Sequence, residues 1–195
     1  GLKNTFQEFF LDDASNVIYL QPGKTSMPYK GFKSNREIEF KNEDMEDIKE
    51  NFPMFTEYVT PRITRSALVR YKNENNSYTT RAVAPGHQFV EKTILMKGRY
   101  INQIDLDKKT KNAVIGRLVA KDLFKSEDPI GKYINLGETA FKVIGVFQDD
   151  GGDNEERFIF IPYTTRQLIE KNNDKIGQII ITFPKEIGHV GAIAF

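Results

Sequence analysis

The amino-acid sequence predicts an α+β protein in which strands outnumber helices. The first observation is a series of short runs rich in Val, Ile, Phe and Tyr, several of them paired around a turn, as in antiparallel hairpins. The second is two segments whose apolar residues recur at spacings of three and four, as in amphipathic helices, and a third segment that begins with a capping-box spacing. The length of 195 residues allows one fair-sized core or two small ones, so we expect one or two compact units.

The N-terminal third predicts a strand, a helix and a second strand. Residues Asn16–Gln21 form a β-rich run that ends at a Pro-Gly turn, and residues 24–40 are mostly loop. Asn42 is the expected helix cap, because acidic residues and an apolar stripe follow it and Pro53 stops the pattern. An alternating run then predicts a second strand to about Thr60.

The middle of the chain predicts a hairpin followed by a strand-turn-helix unit. Two β-rich runs between Ser66 and Gly86 flank the polar tip Asn73–Asn76. Residues 87–107 fit neither period, so we expect irregular backbone there. A strand ending at Val114-Ile115 should turn at a glycine into a helix over Arg117–Phe124.

The segment Asp128–Phe147, DPIGKYINLGETAFKVIGVF, is the densest patch of pattern. Pro129 pushes Asp128 toward extended geometry, and Gly131 is free of Cβ constraint, so the chain should turn here. Two alternating runs, YINL and FKVIGVF, surround a tight GET turn and predict a second hairpin. No residue in the segment is suited to catalysis, so the pattern indicates scaffolding.

The C-terminal quarter predicts a loop, a strand, a helix and a last strand. Residues 148–157 are an acidic loop, and FIFIP is a short buried strand that ends at Pro162. Thr164 and Gln167 have capping-box spacing for a helix near Thr165–Lys171. The isoleucine-rich run GQIIITFP predicts the last strand.

Composition excludes several classes of function. The chain has 28 Lys and Arg against 27 Asp and Glu, so its net charge of +1 gives no one-sided field for nucleic acid. Cysteine is absent, which excludes disulfides and thiolate metal sites. No run approaches the roughly 18 apolar residues of a transmembrane helix. The chain starts at Gly1 without an initiator Met, so we expect it to be part of a longer protein.

Two groups of carboxylates are candidates for chemistry. The acidic run could bind a hard cation, but its spacing does not match an EF-hand loop, so a solvated loop is the favoured interpretation. The second group could form an acid and base pair, yet its neighbours indicate a surface turn. The acidic run comprises Asp149, Asp150, Asp153, Glu155 and Glu156, and the second group is Asp105 and Asp107.

Other catalytic and cofactor signatures are missing. His87 and His189 are far apart in sequence and lack zinc-site spacing. The chain has neither a nucleophile elbow nor a phosphate-binding glycine loop. We therefore predict no catalytic residue, no metal and no cofactor, and we expect functional residues to be surface contacts.

An ordered set of short motifs resembles the extracytoplasmic core domain of MacB-type permeases, in the FtsX-like branch of the ABC transporters. The set is VIG, DPIGK and VIGV at these intervals, followed by FIFIPYTTRQL, and shorter runs extend it over most of the chain. The resemblance implies that the motif residues shape turns and hairpins. These residues are Gly116, Asp128, Pro129, Gly131, Lys132 and Gly145.

The resemblance also implies two subdomains and a location. A porter-like β-α-β unit would be built from residues 1–65 and 149–195 and be truncated at its C-terminal end. A smaller, mostly-β subdomain with one helix, residues 66–148, would be inserted between its halves. The whole domain would lie on the periplasmic side of the bacterial inner membrane, between the first two transmembrane helices of the permease.

The implied function is to couple cytoplasmic ATP hydrolysis to efflux or extraction of a substrate by conformational change, without enzymatic activity of its own. The implied partners are an ABC-type ATPase subunit or domain, a periplasmic adaptor or lipoprotein, and a second permease through the membrane helices. Three alternatives stay open: a stand-alone secreted ligand-binding module, an FtsX-like regulator of cell-wall enzymes, and a hydrolase that uses Asp150 and Asp153.

Overall fold

The computed structural model describes residues 6–11, 16–22, 39–53, 56–150 and 154–184. The strands are β1 (Phe6–Leu11), β2 (Val17–Pro22), β3 (Phe40–Lys41), β4 (Tyr58–Tyr71), β5 (Glu74–Val83), β6 (Thr93–Gly98), β7 (Asn112–Gly116), β8 (Tyr133–Leu136), β9 (Thr139–Asp149), β10 (Phe158–Pro162), β11 (Lys175–Ile176) and β12 (Gln178–Thr182). The helices are α1 (Asn42–Asn51), α2 (His87–Val90), α3 (Gln103–Lys108), α4 (Arg117–Phe124) and α5 (Tyr163–Ile169), with a 3-10 turn at Asn154–Arg157. The described part is thus a mixed α+β structure dominated by strands.

The chain divides into two compact units. The first unit comprises residues 1–62 and 174–195, and the second comprises residues 63–173. The sequence prediction assigned residues 149–173 to the unit formed by the chain ends. In the structure these residues belong to the second unit, because β10 pairs with β5 and β7. Residues 66–148 also contain α2, α3 and α4 rather than one helix.

The first unit contains an antiparallel sheet in the order β1-β2-β12-β4. Strand β12 lies between strands from the beginning of the chain, since Ile180 pairs with Tyr19 on one side and with Thr60 on the other. The backbone N–H of Tyr58 donates to Thr182 Oγ1 at 2.9 Å, which fixes the register at one end. The last strand among the described residues is therefore central to this sheet.

Helix α1 and the pair of β3 with β11 complete the described part of the first unit. The helix begins at Asn42, which was predicted to be its cap. The cap is Lys41, whose backbone N–H donates to Asp44 Oδ2 at 2.8 Å. The predicted apolar stripe is confirmed, because Met45 and Ile48 are buried.

The second unit contains a sheet in the order β4-β5-β10-β7-β9-β6. Strand β8 pairs with both β4 and β9, so the strands from β4 to β9 close on themselves. Strands β10 and β5 are parallel, as are β7 and β9, whereas β10 with β7, β6 with β9, β4 with β8 and β8 with β9 are antiparallel. Because side chains alternate along a strand, one face of the sheet points inward and the other outward.

The inward face forms the main core together with the apolar side of α4. Val119, Leu123 and Phe124 of this helix are buried in it, as the predicted helical stripe requires. The strands contribute Ile63, Val69, Tyr78, Ala82, Ala113, Ile115, Ile134, Leu136, Phe141, Val143, Val146, Ile159 and Ile161. The sequence prediction of a helix over Arg117–Phe124 is confirmed.

A second core covers part of the outward face. Leu106 of α3 packs there with aromatic residues, and the rings of Phe147 and Phe160 stack with centroids 4.7 Å apart. Its other members are Val83, Tyr100, Ile101 and Val114. Strands β7, β9 and β10 are thus covered on both faces where these residues lie.

Several predicted boundaries in the second unit were wrong. The strand expected to end near Thr60 continues through Pro61 as the 14-residue strand β4, which is also the first strand of the predicted hairpin. The hairpin turns at Lys72-Asn73, where Lys72 has φ +52°. Residues 87–107 hold α2, β6 and most of α3 instead of irregular backbone. Helix α5 starts after Pro162, two residues before the predicted range.

Candidate functional site

The DPIGK segment forms a turn that is bonded to β9. Asp128 Oδ1 accepts a hydrogen bond from the Ile130 backbone N–H at 3.1 Å. The N–H of Gly131, whose φ is +86°, donates to the Val143 carbonyl at 2.8 Å, and the Val143 N–H donates back to the Lys132 carbonyl at 2.8 Å. The segment therefore extends the pairing of the β8–β9 hairpin.

Glu127 connects this turn to the end of β4. The Tyr71 hydroxyl donates to Glu127 Oε1 at 2.9 Å, and the ammonium groups of Lys72 and Lys132 lie 3.5 and 3.7 Å from its carboxylate. The hydrogen bond from Tyr71 and the two lysine charges lower the pKa of Glu127. The carboxylate is thus held ionised between two segments that are 56 residues apart.

Two glycines of the predicted motif lie where backbones meet closely. A Cβ on Gly116 would overlap the carbonyl oxygen of Glu156, and a Cβ on Gly145 would overlap the carbonyl oxygen of Arg99. Only glycine avoids these overlaps without moving backbone. Gly116 is at the junction of β7 and α4, so it is apart from the Asp128–Lys132 turn, whereas Gly145 follows Val143 on β9.

Asp105 is buried at the start of α3 and not in the surface turn that the sequence predicts. Its carboxylate accepts a bidentate pair from Arg99, at 2.7 and 3.2 Å, and the Asn102 backbone N–H at 2.9 Å. Thr110 Oγ1 and Asn112 Nδ2 also donate to it, at 2.7 and 2.9 Å. Burial opposes ionisation, but these donors prevail and lower the pKa of Asp105 to about 2.

The end of the acidic run is also structural. Glu156 is buried and forms an ion pair with Arg117. Glu155 also forms an ion pair, with 3.2 Å between its Oε1 and Nη1 of Arg81. Burial raises the pKa of Glu155 despite the arginine charge. The prediction of a fully solvated loop is therefore wrong for both glutamates. Asp150 is exposed, and Asp153 lies outside the described residues.

His87 is completely buried in the second unit. Its Nδ1 lies 3.5 Å from the Tyr100 hydroxyl. Its ring packs edge to face with that of Phe160, with the two centroids 5.3 Å apart. Burial raises the pKa of Tyr100 well above its usual value. Over the parts of the chain that the structure describes, no group of three His, Cys, Asp or Glu side chains is arranged to hold a metal ion. His189 lies outside those parts.

One part of the outward sheet face has no covering element among the described residues. Strand pairing places Arg70 beside Asn135 and Tyr133 beside Lys142, and paired residues point to the same side. Leu68 is two residues from Arg70 and shares this side. We call this surface the open face and define it by Leu68, Arg70, Tyr133, Asn135 and Lys142.

The open face combines apolar and polar groups. The side chains of Leu68 and Tyr133 are 60% and 62% exposed, which is high for residues of their size. A depression of about 340 Å³ lies at one end, lined by Leu68, Arg70, Asn75, Asn135, Gly137 and Glu138. The surface is suited to contact with another molecule more than to enclosing one. Sequence reasoning missed it, because its residues come from separate strands.

Among the helices that the structure describes, none has the length and apolar character needed to cross a bilayer. Curated proteins similar to this chain are nevertheless much longer than it is. Two are macrolide export ATP-binding/permease proteins MacB, from Wolinella succinogenes and Vibrio parahaemolyticus. Each is 30% identical, over 172 and 174 residues, and these cover 86% and 85% of this chain but 26% of each relative. The chain thus spans about a quarter of their length.

Solved structures show the same fold. The periplasmic region of MacB from Actinobacillus actinomycetemcomitans has a TM-score of 0.76 and 22% identity, covering 92% of this chain and 79% of that one. The extracellular domain of the noncanonic ABC-type transporter YknZ from Gram-positive bacteria has a TM-score of 0.66 and 19% identity, covering 76% of both chains. The profile of the MacB-like periplasmic core domain matches residues 1–187. The chain therefore belongs to the MacB-like periplasmic core domain family, the extracytoplasmic part of ABC transporter permeases.

Proposed function

We propose that this domain couples ATP hydrolysis on the cytoplasmic side to export or extraction of a substrate on the other side of the membrane. The observation that carries the proposal is the family match over residues 1–187. The ATPase would be a separate domain or subunit, and relatives named ATP-binding/permease proteins support that arrangement. The domain itself would contribute movement and contacts and no catalysis.

The second unit has the properties of a rigid element. Its sheet closes on itself through β8. Ion pairs whose carboxylates are buried, Arg99–Asp105 and Arg117–Glu156, join its segments. A rigid body transmits displacement because its packed interior resists deformation. We propose that Gly116, Gly145 and the Asp128–Lys132 turn serve this stiffness, and that the first unit is the porter-like subdomain.

The proposed partners are the ATPase, a periplasmic adaptor or lipoprotein, and a second permease held through membrane helices. The names of the relatives mention macrolide export, so a macrolide is the first substrate to test. Peptides and lipoproteins are the next classes. A regulator of cell-wall enzymes would act through the same movement without exporting a substrate.

The test compares the full protein with a version that lacks residues 1–187, in cells without the native gene. Export coupling predicts that the deletion restores macrolide sensitivity, whereas the ATPase activity in isolated membranes persists. A stand-alone binding module predicts no effect of an ATPase-inactivating substitution. A cell-wall regulator predicts division or lysis defects with unchanged drug sensitivity, and that result would replace the export proposal.

A further inference from the structure

The open face is continuous with a group of exposed lysines. The backbone N–H of Lys142 donates to the Lys111 carbonyl at 2.9 Å, so the start of β7 lies directly beside the open face. Lys108 and Lys109 precede it at the end of α3. All four lysines are exposed, and none of them has an ion-pair partner among the residues that the structure describes.

The charge of this region differs from that of the whole chain. Residues 63–173 contain 18 Lys and Arg against 14 Asp and Glu, a net charge of +4, although the chain as a whole has only +1. Nearby acids do not neutralise these cations fully, because Asp105 is bound by Arg99, and the exposed acids are Asp107 beside Lys108 and Glu138 at the depression. The free lysines and Arg70 therefore leave a positive surface around Tyr133.

We propose that the open face and its lysine rim are the docking surface for an acidic segment of an extracytoplasmic partner protein. Complementary charge supplies the attraction, with Arg70 and Lys142 on the open face and the lysine rim beside them attracting carboxylates of the partner. Tyr133 and Leu68 supply the apolar contact, since exposed aromatic residues often carry much of the binding energy of protein interfaces.

Two other occupants fit the surface less well. A second copy of this domain would bring two positive faces together, which costs free energy. An anionic lipid surface would be attracted by the lysines but makes no use of the depression beside Asn135 or of the exposed Leu68. The mixture of charged, amide, aromatic and aliphatic groups favours a protein.

The test is photo-cross-linking of the full protein in its own cells. The Tyr133→p-benzoylphenylalanine variant should give a cross-link to a protein, at a peptide that contains several Asp or Glu residues. The matched control replaces Phe89, which is 61% exposed on α2 of the same unit but outside the open face. The control should not give this product. Adducts with lipid alone, equal products from both positions, or a captured peptide without acidic residues would overturn the proposal.

Charge reversal provides the second arm. Arg70→Glu combined with Lys142→Glu should lower the cross-link yield at least fivefold, whereas Lys121→Glu on α4 should leave it unchanged. Reversing the acidic residues of the captured peptide should restore the yield with the double variant. An unchanged yield in the double variant contradicts the proposal. The cross-link requires no ATP hydrolysis, so its outcome is independent of whether the export function is correct.

Discussion

The two faces of the β4–β8–β9 sheet differ completely although neighbouring residues of the same strands form them. Ile134 and Phe141 are 1% exposed on the inward face, whereas Tyr133, next to Ile134, is 62% exposed on the outward face. The inward face is packed against α4, and the open face has no cover among the described residues. A single hairpin thus has one face buried in the core and one face exposed, so substitutions on the two faces should have separable effects on stability.

The largest expected effect is on the inward face. Phe141→Ala removes a fully buried ring and leaves a cavity in the main core, so we expect a loss of about 3–5 kcal/mol in the free energy of unfolding. Tyr133→Ala, on the same hairpin, should change it by less than about 0.5 kcal/mol. Urea unfolding monitored by circular dichroism gives both values. Equal losses would mean that the open face is covered in solution.

The next effect concerns the close contact between Gly116 and the Glu156 carbonyl. Gly116→Ala places a Cβ against the Glu156 carbonyl, and the backbone must move, so we expect a loss of about 2–3 kcal/mol. Gly137→Ala is the control, because its Cβ meets no atom within 4 Å and only its φ of +61° is strained. The control should cost about 1 kcal/mol. Thermal or urea unfolding of the two variants is the measurement, and a smaller loss for Gly116→Ala than for Gly137→Ala would contradict the close contact.

The buried carboxylate of Asp105 should make stability depend on pH. Its pKa of about 2 in the folded protein is below the value of about 3.9 in the unfolded chain, so its contribution is complete above about pH 5 and is lost as the pH falls toward 2. The loss should be about 2 kcal/mol across this window. Asp105→Asn should be less stable at pH 5 and should lack this part of the pH dependence.

The control for this measurement is Asp107→Asn. Asp107 is exposed and accepts a hydrogen bond from Gln103, so its replacement should keep the wild-type dependence between pH 4 and pH 2. Urea unfolding at several pH values distinguishes the variants. If Asp105→Asn had the wild-type slope in this window, the buried carboxylate would not be the group responsible.

The smallest effect is expected in the most recognisable part of the sequence. Asp128→Ala removes the acceptor of one exposed hydrogen bond to the Ile130 N–H, so we expect a loss of only about 0.5 kcal/mol. A loss above about 2 kcal/mol would mean that this turn contributes more to stability than its contacts indicate. The midpoint of thermal unfolding is sensitive enough to tell these outcomes apart.

Local pattern predicted the elements whose cause is local. The predictions of the helix over Arg117–Phe124 and of the β8–β9 hairpin were correct. The residues that define each element are close in sequence: an apolar stripe for the helix and a glycine turn for the hairpin. The sequence prediction ended a strand near Thr60, although β4 continues through Pro61. The first part of β4 pairs with β12, which is more than 110 residues away, so local sequence does not show this pairing. Helix α3 has six residues, too few to show a helical period.

The candidate site was less predictable for the same reason. Asp105 looked like a turn residue because Arg99, Thr110 and Asn112 converge on it only after folding. Glu156 looked solvated because Arg117, its partner, lies 39 residues earlier in the chain. The open face is assembled from β4, β8 and β9, so no continuous stretch of sequence shows its character.

The central position of β12 sets an order of events during synthesis. Residues 63–173 form one uninterrupted stretch, so the second unit has all its strands as soon as Asn173 has emerged. The sheet of the first unit must wait for Gln178–Thr182, because that strand inserts between β2 and β4. The early strands β2 and β4 therefore spend the intervening period with unpaired edges, and chaperone protection would matter most at that stage.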